Sequence, residues 1–219
     1  MKRGLFKTND EKISPLPYKI FTCSFDESKI LKGIMLLYLD GKGFDLDPTY
    51  STGRIWEDLP QPKLKFDIEP QIKGVKKADA CNLPLKNESI KNILFDPPFI
   101  IRKSQVNTGI ISNRFGVFPT SKELWEFYEK AMKEFWRILK VGGILVFKCQ
   151  DTISSTIQFW SSHRIMDIAE SIGYDQLDLF VLGRNPNNVL WGPNIVRQQH
   201  ARKNHCFFFV FQAILAAIL

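Results

Sequence analysis

Apolar positions along the 219-residue chain switch between two periods, and the switches mark the elements. Between Asp26 and Leu39 the residues Ile30, Ile34 and Leu37 recur at helical spacing with Gly41 behind them, which predicts a helix and its stop. Short apolar runs follow at 44–47, 64–67, 75–79, 92–96 and 144–149, each of strand length. The first four of these runs close on an aspartate: Asp47, Asp67, Asp79 and Asp96. In an open parallel sheet ligands bind at the carboxyl ends of the strands, so acids there converge on one crevice. A long helix is expected over Ser121–Lys140, where Leu124, Tyr128, Ala131, Phe135 and Leu139 share a face. Thr120 and Glu123 have the capping-box spacing at its start, and Gly142-Gly143 is expected to stop it. A further helix over 162–172 ends at Gly173, and β-rich runs at 176–182 and 205–211 close the pattern. Strands alternating with helices predict an α/β three-layer sheet of about seven strands. Residues 1–25 read as an irregular lead-in with Pro15 and Pro17, 26–212 as one folded unit, and 213–219 as an apolar tail with no assigned role.

Composition adds little until charge is placed along the chain. At 44% hydrophobic and 24% charged residues the chain is ordinary for a globular domain. Thirty Lys and Arg against 23 Asp and Glu give +7. Two segments hold no acid: 100–120 carries Arg102, Lys103 and Arg114, and 183–219 carries Arg184, Arg197, Arg202 and Lys203. Those seven cations equal the whole surplus and point to a polyanionic partner. Met1–Asp10 has no apolar run behind its basic residues, so no secretory signal is read and a cytoplasmic location is expected. Cys23, Cys81, Cys149 and Cys206 are scattered without a paired spacing, which predicts reduced, mostly buried thiols and neither a zinc site nor a disulfide framework. No metal is expected. The apolar stretch from Cys206 is broken by Gln212 and falls short of the ~20 residues of a membrane span, so Cys206–Phe211 is read as a core strand.

The most informative local pattern is Asp96-Pro97-Pro98-Phe99, directly after Ile93-Leu94-Phe95. An exocyclic amino group on a nucleobase is a poor nucleophile because its lone pair is delocalised into the ring. Alkylating it requires acceptors for its hydrogens that favour a pyramidal nitrogen. The Asp96 carboxylate and the carbonyl of Pro97 are such acceptors, since proline fixes the backbone. Phe99 is suited to stack on the flat base.

This constellation resembles the AdoMet-dependent amino-methyltransferases that modify adenine N6 or cytosine N4 in DNA, whose signature is [Asp/Asn/Ser]-Pro-Pro-[Tyr/Phe]. The resemblance implies a class I AdoMet methyltransferase, Rossmann-like, with S-adenosyl-L-methionine as cofactor and DNA as partner. Asp47-Pro48-Thr49-Tyr50-Ser51-Thr52-Gly53 is similar to that family's Asp-Pro-Phe-x-Gly-x-Gly cofactor loop, with Ser51 in place of the first glycine. On this resemblance Thr52–Gly53 would face the methionine carboxylate and Asp47 its ammonium. Asp67 stands 20 residues on, the spacing at which dinucleotide-type folds hold ribose hydroxyls, with Glu69 as a competitor. Asp79 and Ala80 resemble the family's third motif, which receives the adenine amino group of the cofactor. Leu139–Lys148 is similar to the helix end, Gly-Gly turn and fifth strand of the class. For Lys148 and Asp151, at the end of that strand, an exposed ion pair and a catalytic role are both open. His200–His205 is similar to a segment of small phage- and prophage-type methylases, and with Arg102, Lys103 and Arg114 it supplies the expected phosphate contacts, Arg202 and Lys203 foremost. Trp191 is a further stacking candidate, and Ile100–Thr120, with Gly109 and Gly116, a candidate lid. An RNA base or a protein glutamine amide as substrate, and a nucleic-acid-binding module without transfer activity, are the alternatives.

Overall fold

The computed structural model describes residues 19–101, 118–184 and 200–214. Arg102, Lys103, Arg114, Gly109, Gly116, Trp191, Arg197, residues 1–18 of the lead-in and 215–219 of the tail lie outside them. In chain order the strands are β1 (Cys23–Ser24), β2 (Leu46–Asp47), β3 (Leu64–Asp67), β4 (Lys76–Lys77), β5 (Ile90–Phe95), β6 (Leu139–Cys149), β7 (Thr152–Ser154), β8 (Ile157–Phe159), β9 (Tyr174–Gly183) and β10 (His205–Ala213). The helices are α1 (Glu27–Tyr38), α2 (Ser121–Ile138) and α3 (Ser161–Ile172).

Eight strands form one sheet in the order β1-β9-β10-β6-β5-β2-β3-β4, and β7 and β8 form a separate hairpin. All pairs in the large sheet are parallel except those of β10, which runs antiparallel to β6 and β9. Counted from β2 and read from the far edge, the core strands lie 3-2-1-4-5-7-6. This is the Rossmann-type order with the last strand inserted between the fifth and sixth, the class I three-layer α/β arrangement expected from the sequence. The strand order reverses between β2 and β5, and that switch point is where such sheets open a crevice at their carboxyl ends.

Period-two alternation buries both faces of the sheet. Ile93, Phe95, Leu145, Phe147, Phe209 and Phe211 pack with α2 and α3, whereas Leu94, Ile144, Val146, Phe208 and Val210 pack with Ile30, Leu31, Ile34 and Met35 of α1. The caps follow sequence chemistry. Asp26 accepts from the Lys29 N–H at the start of α1, and Thr120 accepts from the Glu123 N–H at the start of α2. Past α1, the Gly41 N–H reaches back to the Met35 carbonyl, and α3 ends on left-handed Gly173.

Several boundaries differ from expectation. Helix α2 ends at Ile138 instead of Lys140, because Leu139 is already extended at φ −70° and ψ 139° and begins β6. Gly142-Gly143 is therefore not the helix stop. Between the pairs Ile90↔Leu139 and Asn92↔Ile144, β5 advances two residues while β6 advances five, and the glycines sit in that bulge. A Cβ on Gly143 would lie 2.7 Å from the Lys140 carbonyl oxygen. Strands β2 and β4 are shorter than the runs that predicted them, and β1 and the β7–β8 hairpin were not foreseen. Of the four thiols, Cys149 and Cys206 are buried, Cys81 is half-buried and Cys23 is exposed.

Candidate active site

The loops that leave β2 and β5 meet at the switch point. Asp47 closes β2 and is almost wholly buried, at 2% exposure. Its Oδ2 accepts from the Trp56 indole N–H at 2.7 Å, and its Oδ1 accepts from the Thr49 N–H at 2.9 Å. Burial pushes its carboxyl up to about 7. The Trp56 and Thr49 hydrogen bonds oppose the rise, and the negative charges of Asp96 and Asp67 add to it. Pro48 is buried beside it. Thr49 turns to the neighbouring strand end, where its hydroxyl accepts from the Asp96 N–H at 3.3 Å.

The rest of the β2 loop is shaped by two left-handed residues. Ser51 stands where the resembling family has its first glycine, and it adopts φ 50°. Its N–H donates to Asp67 Oδ2 at 2.7 Å, and its hydroxyl is buried without a hydrogen-bond partner. Gly53 has φ 72°, and a Cβ there would lie 2.5 Å from the Tyr50 hydroxyl oxygen. The other oxygen of Asp67 accepts from the Glu69 N–H, while the Glu69 side chain is exposed. Asp47, Asp67 and Asp96 are thus brought together. Asp79 follows Ala78, whose N–H donates to the Asp67 carbonyl at 3.0 Å; the Asp79 Oδ1 accepts from the Cys81 N–H of its own turn, and the adjacent Ala80 is buried. Burial and the nearby Asp79 push the Cys81 thiol up to about 12.

At the end of β5, Asp96 is held from two sides, by Thr49 at its backbone and by Lys148 at its carboxylate. Lys148 Nζ lies 2.8 Å from Asp96 Oδ2 and 2.7 Å from Glu27 Oε1. This contact follows from register. Phe95 pairs with Phe147, so the next residues, Asp96 and Lys148, are neighbours on the face that packs against α1, whose first turn carries Glu27. The Lys148 side chain is only 7% exposed and its ammonium also sits 5.7 Å from the Phe208 ring centroid. Burial alone would lower its pKa, but the two carboxylates outweigh that and hold it raised. The exposed Lys148–Asp151 pair considered from sequence is therefore corrected. Both residues are buried, and Asp151 instead accepts from the Ser162 N–H and hydroxyl at the start of α3.

In the Asp-Pro-Pro-Phe turn, Pro97 is buried and Phe99 half-buried. The Tyr128 hydroxyl donates to the Pro98 carbonyl at 3.1 Å, so the second proline's acceptor is engaged from α2. Ile101 bridges to Phe118 beside the turn. Arg202 is exposed and Lys203 half-buried on the lead into β10, whose start lies at the same sheet edge as the end of β6. Among the described residues no group of His, Cys, Asp and Glu is arranged to hold a metal, and no helix is long and apolar enough to cross a membrane. Sequence reasoning missed Glu27 and Trp56 as members of the site. The alternation that places Lys148 and Asp96 on the α1 face was available, but the docking of α1 was not.

No protein-family model and no curated protein sequence matches the chain. Among solved structures, a proposed DNA modification methylase of Thermus thermophilus is similar at 15% identity and a TM-score of 0.45, over 65% of this chain and 54% of that one. The same protein complexed with S-adenosyl-L-methionine gives 15% identity, a TM-score of 0.45 and coverage of 65% and 56%. The cytosine-N4-specific Pvu II DNA methyltransferase is similar at 17% identity and a TM-score of 0.46, over 62% of this chain and 47% of that one. The chain therefore spans about half the length of these structures. A complex of the Haloferax volcanii Trm112 methyltransferase activator with a proposed methyltransferase is matched at 10% identity and a TM-score of 0.48, over 79% and 82% of the two chains. Each is a partial likeness, and none assigns an activity to this chain.

Proposed function

We propose that this chain is an AdoMet-dependent methyltransferase acting on the exocyclic amino group of a base in DNA, adenine N6 or cytosine N4. The observation that carries the reading is the Asp96 carboxylate at the switch point. It is gripped by a buried ammonium on one oxygen and joined through Thr49 to the loop that carries Asp47. Asp47, Asp67 and Asp96 form a negative cluster whose most buried member has its carboxyl raised, so it favours a cationic neighbour. S-adenosyl-L-methionine fits that demand with its ammonium and sulfonium. The buried, unpartnered Ser51 hydroxyl is a donor for its carboxylate, and Asp67 and Asp79 are acceptors for ribose and adenine. When bound, the cofactor supplies an electrophilic methyl group on sulfur.

The residues of this chain then hold and orient the amino group. Lys148 occupies Asp96 Oδ2, so Oδ1 is the oxygen offered to an amino hydrogen. Tyr128 occupies the Pro98 carbonyl, so the Pro97 carbonyl is the second acceptor. Phe99 stacks on the base. On transfer the nitrogen lone pair would form the new bond to the methyl carbon as the sulfur–methyl bond breaks and its electron pair stays on sulfur, and the nitrogen would shed one proton to Asp96 or through it to solvent. Such alignment is worth up to about 7–11 kcal/mol of the barrier. Glu27 and Lys148 act as positioning residues, because they fix the carboxylate without touching the base. Ser51 already takes a left-handed conformation of the kind glycine favours, so the substitution does not argue for a non-catalytic binding module.

Labelled methyl transfer from AdoMet to duplex DNA, single-stranded DNA, RNA and protein tests the reading, with label expected in DNA. Label in RNA or protein alone overturns the DNA assignment. Absence of AdoMet binding by calorimetry at high micromolar cofactor overturns the enzyme reading altogether.

A further inference from the structure

A second pairing of a cation with an aromatic ring stands on the same sheet edge, outside the pocket. Beyond β6 the chain forms the β7–β8 hairpin, whose tip residues Ser155 and Thr156 both adopt left-handed φ, 50° and 65°. Trp160 follows β8 at the start of α3 and leaves 56% of its surface exposed. Its side chain makes no capping hydrogen bond to that helix. The segment that leads into β10 is held at two points, one on the hairpin tip and one on the residue that follows β6. The His200 ring nitrogen Nε2 meets the Thr156 carbonyl at 2.7 Å, and the Gln150 amide donates to the Lys203 carbonyl at 2.8 Å. With the backbone held, Lys203 Nζ lies over the Trp160 ring, 4.8 Å from its centroid. Gln150 is two residues past Lys148, so the anchor of this pair is about 7 Å further along extended chain than the Asp96 clamp.

We propose that Trp160 and Lys203 form a nucleotide platform, on which a base flanking the target stacks against the indole while the ammonium meets an adjoining phosphate. The inference rests on the nucleic-acid reading of the pocket. Charge selects the occupant: 183–219 carries four cations and no acid, and the nearby acid Asp151 is buried against Ser162. The exposed indole supplies a flat, sequence-tolerant surface of the kind that single-stranded nucleic acid uses.

Anisotropy of a fluorescent single-stranded oligonucleotide, titrated at several salt concentrations, tests the platform. Trp160→Ala is expected to weaken binding about tenfold with an unchanged salt slope, and Trp160→Phe to retain most of the affinity. Lys203→Gln is expected to lower the salt slope by about one. Thermal melting and AdoMet calorimetry on each variant confirm an intact fold and pocket. Equal binding by Trp160→Ala and wild type overturns the platform, as does an acidic peptide that competes for it as well as the oligonucleotide does. If wild type binds the oligonucleotide through Trp160 yet labels no nucleic acid, the platform stands and the proposed activity falls. If label transfer proceeds and Trp160→Ala leaves its KM unchanged, the activity stands and the platform falls.

Discussion

The strand ends of β2 and β5 carry the same side chain one strand apart, and the fold treats the two in opposite ways. Asp96 keeps 28% of its side chain exposed and is given a cation, Lys148, at 2.8 Å. Asp47 is 2% exposed and is given only neutral donors, Trp56 and Thr49, so burial pushes its carboxyl up to about 7. The contrast separates two roles. A carboxylate with a permanent counter-charge is fixed and ready to accept a hydrogen, whereas one buried without a cation favours a cationic ligand nearby. Under the proposed function, the first suits the amino-accepting position and the second the cofactor loop.

The sharpest way to break the comparison is to delete one carboxylate and ask which property is lost. Asp96→Ala is expected to reduce methyl transfer by roughly 10²–10⁴-fold while AdoMet affinity measured by calorimetry stays near wild type. Parallel loss of transfer and cofactor binding would make Asp96 a structural residue and erase the distinction.

Next in size is removal of the cation. Lys148→Met leaves Asp96 and Glu27 facing each other without a counter-charge. Since both keep part of their side chain exposed, 28% and 33%, the loss in urea unfolding is expected at the low end of the range for a broken buried pair, about 3 kcal/mol. Adding Glu27→Gln removes one of the two stranded charges and should recover part of that stability but not the transfer rate. A double variant as stable and as active as wild type would show that the pair does not position Asp96.

How far these assignments were legible in the sequence depends on the range of the contact. Strand ends at Asp47 and Asp67, the Thr120 cap and the Gly41 and Gly173 stops follow from local periodicity and turn chemistry and stand as expected, whereas β5 closes at Phe95 with Asp96 next and β4 closes at Lys77, two residues before Asp79. The Gly142-Gly143 bulge was misread because a helix stop and a strand bulge use the same residues. The partners of Lys148 escape the sequence for a different reason. Its neighbours Asp96 and Glu27 are 52 and 121 positions away, and only the β5–β6 register and the docking of α1 bring them together. Trp56 is invisible for the same cause: it is a core residue at 1% exposure, yet its indole N–H donates the hydrogen bond that holds Asp47.

The raised carboxyl of Asp47 predicts a pH signature. In the unfolded chain an aspartate titrates at about 3.9, against about 7 in the folded one. Its contribution to stability is full below about pH 4, falls as pH rises while the unfolded chain alone has lost the proton, and is gone once the folded carboxyl ionises above about 7. Urea unfolding of wild type relative to Asp47→Asn should therefore show a stability difference that declines between those limits. A cationic cofactor favours the ionised form, so AdoMet affinity should rise with pH through neutrality, by at most about tenfold per pH unit, with release of a proton. Calorimetry in two buffers of different ionisation enthalpy reads that proton. Affinity independent of pH, with no proton released, would place the cofactor's charge away from Asp47.

The smallest effect concerns the loop between the two aspartates. Ser51 holds φ 50°, a conformation that a residue with a Cβ adopts at a cost, and its hydroxyl is buried without a partner. Ser51→Gly removes both penalties, against a larger loss of backbone entropy on folding. The balance should be a gain of up to about 1 kcal/mol in the cofactor-free protein. If the hydroxyl serves the cofactor's carboxylate, the same change should weaken AdoMet binding several-fold, at the scale of one hydrogen bond to a charged group, about 1.5 kcal/mol. A variant both more stable and poorer at binding would mean that the chain keeps serine at a glycine position for its ligand. One that gains stability with unchanged affinity would leave the hydroxyl without a function, and the cofactor loop would then depend on Asp47 and Gly53 alone.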